Sequence, residues 1–228
     1  MCRTKKIALL LALILVGGCC FPFHSFAVNE MALSHGNREE RTIALTFDDG
    51  PHPRYTPQIL ALLEAYNIRG TFFMIGKNIS FYPEMAKEVF RAGHEIGSHT
   101  FTHPHMLKID AAHLREELLQ TEKALSALGI PKPILFRPPE GYRTREQIAC
   151  VKNAGYRMVV WSLDTHDWKS KPSDEIVSYV LSHVKGGDIL LFHDYISGQN
   201  TTIAALEELI PQLLEDGYQF VTVSELMR

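Results

Sequence analysis

Five short stretches of this sequence gather side chains able to do chemistry. Asp48-Asp49-Gly50 sets two carboxylates side by side. Neighbours in an extended chain point to opposite sides, so both serve one site only where the chain turns, which Gly50 and Pro51 permit. Taken alone, such a tripeptide is more often a solvated turn. His99-Thr100-Phe101-Thr102-His103 supplies two imidazoles, which one helical turn would bring to the same side, a spacing suited to one metal ion. Pro104 limits how far that helix runs, and His105 just beyond is set aside as incidental. A carboxylate from the Asp48-Asp49 pair is the obvious third ligand. Two histidines, one carboxylate and an open position make a hydrolytic zinc arrangement, which iron or cobalt also fits.

The remaining stretches supply acids, bases and walls. In Arg137-Pro138-Pro139-Glu140-Gly141 the prolines fix the path, and the guanidinium can orient a carboxylate bidentately. Both tryptophans fall in Trp161-Ser-Leu-Asp-Thr-His-Asp-Trp168; Trp161 is expected in the core, and Trp168 among polar groups as a stacking platform for sugars. His193 closes the apolar run Leu190-Leu191-Phe192, where a satisfied core histidine is the commoner case and an acid or base the sharper one.

These groups need a frame, and the sequence outlines one. Short apolar runs at Ile43–Phe47, Thr71–Ile75, His94–Gly97, Ile134–Phe136, Met158–Trp161, Ile189–Phe192 and Phe220–Val223 read as strands. Amphipathic stretches between them read as helices over 55–66, 82–92, 110–129, 144–154, 174–183 and 203–214, the last kinked at Pro211. Alternation of this kind implies parallel strands joined by right-handed crossovers. Asp48 and Asp49, His99, Arg137, Asp164 and His193 each fall at the C-terminal end of a different strand, which favours a (β/α) barrel over an open doubly wound sheet. About seven parallel strands make the α/β barrel distorted and incomplete.

The 228 residues suit one domain, with 12 Phe and 8 Tyr arguing against disorder. A balance of −3 without a basic cluster excludes a nucleic-acid partner. Arg3, Lys5 and Lys6, the apolar run Ile7–Val16 and the small residues before Ala27 have the order of a secretory signal peptide cleaved after Ala27. The alternatives are a lipoprotein leader modified at Cys19 and an uncleaved anchor, so membrane association is expected only through this leader. Removal of residues 1–27 takes three of the 23 basic and none of the 26 acidic residues, leaving a balance of −6. Residues 28–40 read as an exposed linker and 41–228 as the working domain, secreted or held in the envelope and expected to be a monomer. Cys2, Cys19 and Cys20 belong to the leader, so Cys150 is a lone thiol on a helix after Pro139.

Thr46–Gly50, His99–His103, Arg137–Gly141, Asp164–Trp168 and Leu191–Asp194, in this order, resemble the five motifs of the polysaccharide deacetylases. That family includes chitin, chitooligosaccharide and peptidoglycan N-deacetylases and some acetylxylan esterases. The resemblance covers about residues 41–224. It implies a distorted (β/α) barrel, an acetylated glycan as substrate, and a divalent metal, Zn²⁺ or alternatively Co²⁺, on Asp49, His99 and His103. Asp48 would be the base, positioned by Arg137, and His193 the acid, tuned by Asp167. Leu191 and Trp168 would line the acetyl pocket, with Pro139 and Glu140 at the substrate and the Glu140 N–H facing the developing oxyanion. Glu140 stands where the family commonly has an aromatic residue. Amide N-deacetylation of peptidoglycan or chitooligosaccharides is the leading expectation. O-deacetylation of acetylated xylan and a silent carbohydrate-binding module are the alternatives.

Overall fold

A computed structural model describes residues 32–196 and 201–228. The leader expected over 1–27, with Cys19 and the cleavage point at Ala27, lies outside the described residues, as do residues 28–31. Among the described residues, no helix is long and apolar enough to cross a membrane.

The strands are β1 (Thr42–Asp48), β2 (Thr71–Met74), β3 (Glu95–Ser98), β4 (Leu135–Phe136), β5 (Arg157–Met158), β6 (Leu163–Asp164), β7 (Ile189–His193) and β8 (Gln219–Phe220). The helices are α1 (Thr56–Ala65), α2 (Gly76–Phe81), α3 (Pro83–Arg91), α4 (Ala111–Ser126), α5 (Arg145–Asn153), α6 (Ser173–His183), α7 (Thr202–Glu215) and α8 (Val223–Leu226). Seven strands pair in parallel in the order β5-β4-β3-β2-β1-β7-β6, while β8 pairs with the first two residues of β1. This is the expected incomplete barrel of seven strands, with β5 and β6 at its two open edges.

The central strand explains the architecture. Six of the seven residues of β1 are buried, as befits a strand covered on both faces. Its side chains alternate between two environments. Ile43, Leu45 and Phe47 join the large apolar cluster with Ile59 and Leu63 of α1, Val89 of α3, Val180 of α6 and Leu206, Leu209 and Leu213 of α7. Ala44 faces the barrel interior with Phe73, Leu135, Val159 and Ile189, and Val223 and Leu226 of α8 complete that cluster. Burying each of the larger aliphatic side chains contributes about 1.5–3 kcal/mol. Above Ala44 on the inward side come Thr46 and then Asp48, so the interior turns polar toward the C-terminal rim. Register levels that rim, because Asp48 lies opposite both Phe73 and His193, Met74 opposite Ser98, and Ser98 opposite Phe136. Asp49, His99 and Arg137 therefore leave their strands at one height.

Three elements differ from the expectation. The single strand expected over Met158–Trp161 is replaced by β5 and β6, because Val159 and Val160 turn to pair with Leu33: the Leu33 N–H donates to Met158 O at 2.9 Å and the Val160 N–H to Leu33 O at 2.7 Å. The segment read as exposed linker thus straps the open side of the barrel, with Leu33 packed on the interior cluster and His35 bridging Asp188. The strand expected over Phe220–Val223 gives way after Phe220 to α8, whose Thr222 and Glu225 form a capping box. Pro211, by contrast, is accommodated inside α7 without dividing it.

Candidate active site

The rim holds a cavity of about 560 Å³ whose walls include Asp48, Asp49, His99, His103, Glu140, Trp168, Leu191 and His193. Eight of the eleven expected site residues thus meet in one place. Arg137 and Asp167 lie behind the wall, each fully buried against a residue that lines it. Pro139, expected at the substrate, is buried in the 3₁₀ turn Pro139–Gly141 and is absent from the cavity wall; its part is to set the path of that turn.

Asp48 sits at the end of β1, 3% exposed. Arg137 Nη1 donates to its Oδ1 at 2.7 Å and to Thr46 Oγ1 at 2.8 Å, and Nη2 donates to Val160 O at 3.3 Å. The guanidinium carbon lies 4.0 Å from the Phe73 ring centroid. A permanently charged group so deeply buried needs an anionic partner, and Asp48 is that partner. Its other oxygen, Oδ2, faces His99 Nε2 at 3.7 Å.

The chain turns directly after Asp48, as both carboxylates require. Asp49 has φ 75°, and Asn78 Nδ2 donates to its carbonyl at 2.7 Å. A Cβ on Gly50 would stand 2.1 Å from Asp194 Oδ2, so only glycine admits that carboxyl group beneath the turn. Asp194 is 1% exposed, accepts from Thr56 Oγ1 at 2.5 Å, and donates its N–H to Asp48 O at 3.1 Å. Burial first, then the charges of Asp49 and Asp48, push its carboxyl up to about 7 against the Thr56 hydrogen bond.

Asp49, His99 and His103 present donor atoms all within 4.8 Å of one another. Asp49 Oδ1 is buried without a hydrogen-bond partner, and lies 3.6 Å from His99 Nε2 and 3.3 Å from His103 Nε2. Two ligands each about 2.05 Å from a tetrahedral ion are about 3.3 Å apart, so the set fits a divalent cation. His99 Nδ1 meets Arg137 O at 2.8 Å, which turns Nε2 toward the cluster. Burial holds the His99 imidazole below its ordinary value despite Asp48 and Asp49, keeping it in the neutral form that ligates.

The two histidines do not share a helical turn. Residues 99–103 form bends in which Thr100 and His103 take positive φ, 66° and 56°. Glu117 of α4 holds this loop: its Oε2 accepts from the Phe101 and Thr102 N–H groups at 2.8 and 2.7 Å, and Oε1 from Thr102 Oγ1 at 2.8 Å. Nothing in the periodicity of α4 marked Glu117. Its one signal is a carboxylate on the same helical face as Leu114, Leu118 and Thr121, where an apolar residue is expected.

Across the cavity, His193 Nδ1 meets Asp167 Oδ1 at 2.8 Å. Asp167 Oδ2 accepts from the His193 N–H and from Thr202 Oγ1, each at 2.8 Å. Burial pulls the His193 imidazole down, but the Asp167 hydrogen bond and charge, joined by Asp48 and Asp49, carry it up to about 9. Nδ1 is thereby occupied, and Nε2 is left as the nitrogen that can hold a proton toward the cavity. Leu191 is buried in the wall, and Trp168 is half exposed with Nε1 donating to Asp164 Oδ1 at 3.2 Å.

Two residues do more than expected. Trp161 is partly buried, packing against the interior cluster as expected but also lining the cavity wall, and approaches Gly141 so closely that a Cβ there would lie 2.9 Å from its ring. His105 is not incidental. It lines the cavity, stacks on Tyr142 with ring centroids 5.4 Å apart, and brings Nε2 to 3.5 Å from Glu140 Oε2.

Comparison with known proteins agrees with this geometry. The polysaccharide deacetylase family model matches residues 35–159. A peptidoglycan-N-acetylglucosamine deacetylase of Bacillus cereus is 43% identical over 191 residues, covering 83% of this chain and 89% of that one. A chitooligosaccharide deacetylase of Bradyrhizobium is 35% identical over 198 residues, covering 82% and 90%. The crystal structure of the Bc1960 peptidoglycan N-acetylglucosamine deacetylase superposes with a TM-score of 0.82 at 34% identity, over 86% of this chain and 92% of that one. The chain belongs to the polysaccharide deacetylase family and is a hydrolase acting on carbon–nitrogen bonds other than peptide bonds.

Proposed function

We propose that this protein is an exported, metal-dependent N-deacetylase that removes acetyl groups from the amino sugars of peptidoglycan, with chitooligosaccharides as the second substrate class. It acts as a monomer on an acetylated glycan and binds no nucleic acid. The observation that carries the reading is the position of Asp48: its carboxylate is paired with buried Arg137, stands beside the Asp49-His99-His103 donors, and faces the rim level with His193.

Asp49, His99 and His103 would hold a divalent ion, Zn²⁺ in the first instance, which when bound would supply Lewis-acid polarisation of the acetamido carbonyl and acidify water. Asp48 takes the proton of the attacking water, for which it must be a carboxylate held near the donors rather than one of them. His193 Nε2 returns a proton to the leaving amine, a role that requires the charged imidazole Asp167 sustains. Leu191 and Trp168 form the acetyl wall, and the Glu140 N–H stabilises the developing oxyanion. Water adds, the C–N bond breaks, and acetate and an amine leave.

An acetyl ester has the better leaving group and needs His193 less, so the His193-Asp167 pair favours the amide reading over O-deacetylation. A silent binding module has no use for a complete set of ligands, base and acid. Purified protein supplied with Zn²⁺ should release acetate from N-acetylglucosamine oligomers or glycan strands, and Asp48→Asn should lose that release while still binding the ion. Stoichiometric metal without acetate from any such substrate refutes the reading.

A further inference from the structure

Beside the cavity, on the side of Asp49 and His193, stands a group of rings with no part in the chemistry. His52 lies between two tyrosines, its centroid 4.8 Å from that of Tyr55 at an interplanar angle of 22° and 4.8 Å from that of Tyr195 at 19°. Tyr82 meets His52 edge to face at 6.3 Å, and Phe81 follows at 6.3 Å from Tyr82. These rings form one continuous patch outside the cavity wall. Phe81 is 63% exposed, Tyr195 43% and Tyr82 36%, so the outer members present apolar surface to solvent. His52 covers one face of Tyr195, and the exposure of that tyrosine lies on the rest of the ring.

The patch hangs on the turn that carries Asp49. His52 is three residues beyond Asp49 and Tyr195 two beyond His193, which keeps their Cα atoms within about 11 Å and about 7 Å of residues in the cavity wall. The His52 N–H donates to Thr56 Oγ1 at 2.8 Å, and that hydroxyl donates to Asp194 Oδ2 at 2.5 Å beneath Gly50. The Ile75 N–H donates to Gly50 O at 2.9 Å and Asn78 Nδ2 to Asp49 O at 2.7 Å, so α2, which ends at Phe81, is tied to the same turn. Rings fixed in this way lose little freedom when a ligand is laid on them. Arg54 over Tyr55 at 5.4 Å and Lys77 over Phe81 at 5.8 Å give the patch basic margins.

Resting on the deacetylase reading above, we propose that this patch binds the glycan strand outside the cavity. While one acetylated sugar occupies the cavity, sugars flanking it in the same strand lie across Tyr195, Tyr82 and Phe81. A pyranose presents a face of C–H groups edged by hydroxyls, and an exposed tyrosine offers the matching apolar ring with a polar tip. The basic margins suit a strand in which flanking sugars carry carboxylates, as the lactyl ethers of peptidoglycan do. Contacts of this kind are made equally in the bound substrate and in the transition state, so they lower KM and leave kcat as it is.

The test uses the Zn²⁺-loaded protein and two N-acetylglucosamine oligomers, a disaccharide confined to the cavity and a hexasaccharide that extends past it. Acetate release gives kcat and KM for each. Tyr195→Ala and Phe81→Ala should each lower the ratio of kcat/KM for the hexasaccharide to that for the disaccharide by about 2- to 10-fold, through KM. Phe90→Ala removes a ring of α3 that is 43% exposed and stands outside the patch, and should leave the ratio as in wild type. All three side chains lie at the surface, so their loss spares the core. An unchanged ratio in both patch variants, a fall carried by kcat, or an equal fall in Phe90→Ala overturns this proposal alone. No acetate from either oligomer by wild type overturns the deacetylase reading and this proposal together.

Discussion

Replacing Asp167 with Asn tests how the site keeps an acid charged. The substitution preserves size where Asp167 is fully buried, and leaves an amide beside His193 and Thr202. What it removes is the negative charge that raises His193 to about 9 from 6.5 against the pull of burial. That rise corresponds to about 3 kcal/mol favouring the imidazolium, at 1.36 kcal/mol per pH unit. Asp48 and Asp49 act in the same direction but rank behind the Asp167 hydrogen bond and charge, so Asp167 is the main source. In Asp167→Asn the burial penalty remains and the imidazole falls below 6.5. At pH 8 the charged fraction drops from about nine-tenths to about 3% or less, about 30-fold or more, and the drop is smaller at pH 6, so the loss of amide turnover grows as pH rises between the two. Acetate release from an N-acetylated oligomer, followed across this pH range, should show the alkaline limb moved from near 9 to below 6.5. An acetyl ester should show a smaller change. Stability follows the same linkage: a raised imidazole contributes fully below pH 6.5 and loses its contribution as pH rises through about 9. Wild type should therefore melt lower at pH 9.5 than at pH 6 by a margin that Asp167→Asn lacks. An equal loss of turnover at pH 6 and pH 8, with the alkaline limb in place, refutes the reasoning.

Other perturbations separate support from chemistry. Arg137→Met leaves Asp48 buried without its countercharge and should destabilise by about 3–5 kcal/mol in denaturant titrations, much of it recovered by adding Asp48→Asn; additive losses contradict the pairing. Glu117→Ala frees the Phe101 and Thr102 N–H groups and should weaken Zn²⁺ binding about 10- to 100-fold in a chelator competition, whereas unchanged affinity means that the loop holds its shape alone. Gly141→Ala strains a residue at φ 72° and meets the Trp161 ring, so a cost of about 1–3 kcal/mol with a raised KM is expected, and an unaltered melting temperature counts against the wedge.

Much of the frame was legible because local rules and tertiary packing agree. In α4, the Asp110 side chain accepts from the His113 N–H at 2.8 Å at the start, and Gly129 at φ 73° follows the end, both as read from residue type. Cys150 lies on α5 as a free thiol, its Sγ donating to Ala111 O. Where packing overrides local preference, the reading failed. Helix α2 is a Gly-Lys-Asn-Ile-Ser-Phe segment of weak propensity, held because the Gly76 and Lys77 N–H groups donate to Thr100 O and Phe101 O. A Cβ on Gly76 would meet the Phe101 ring at 2.4 Å, so the glycine serves that close approach.

By itself the sequence determined which groups stand at the rim. An apolar run ending in Asp, His or Arg places that group at a strand terminus whatever the connections are, and period-2 alternation assigns it to the inner or outer face. Tertiary structure decided what each group does there. The Arg137-Asp48 pair spans 89 positions of sequence and the His193-Asp167 pair 26, and both come from sheet register rather than spacing. The loop that aims His99 and His103 depends on Glu117 from a later helix, and Glu140 acquires its place at the mouth from Trp161 and His105. Electrostatic character of this kind depends on burial and on partners remote in sequence, and those exist only once the strands have assembled.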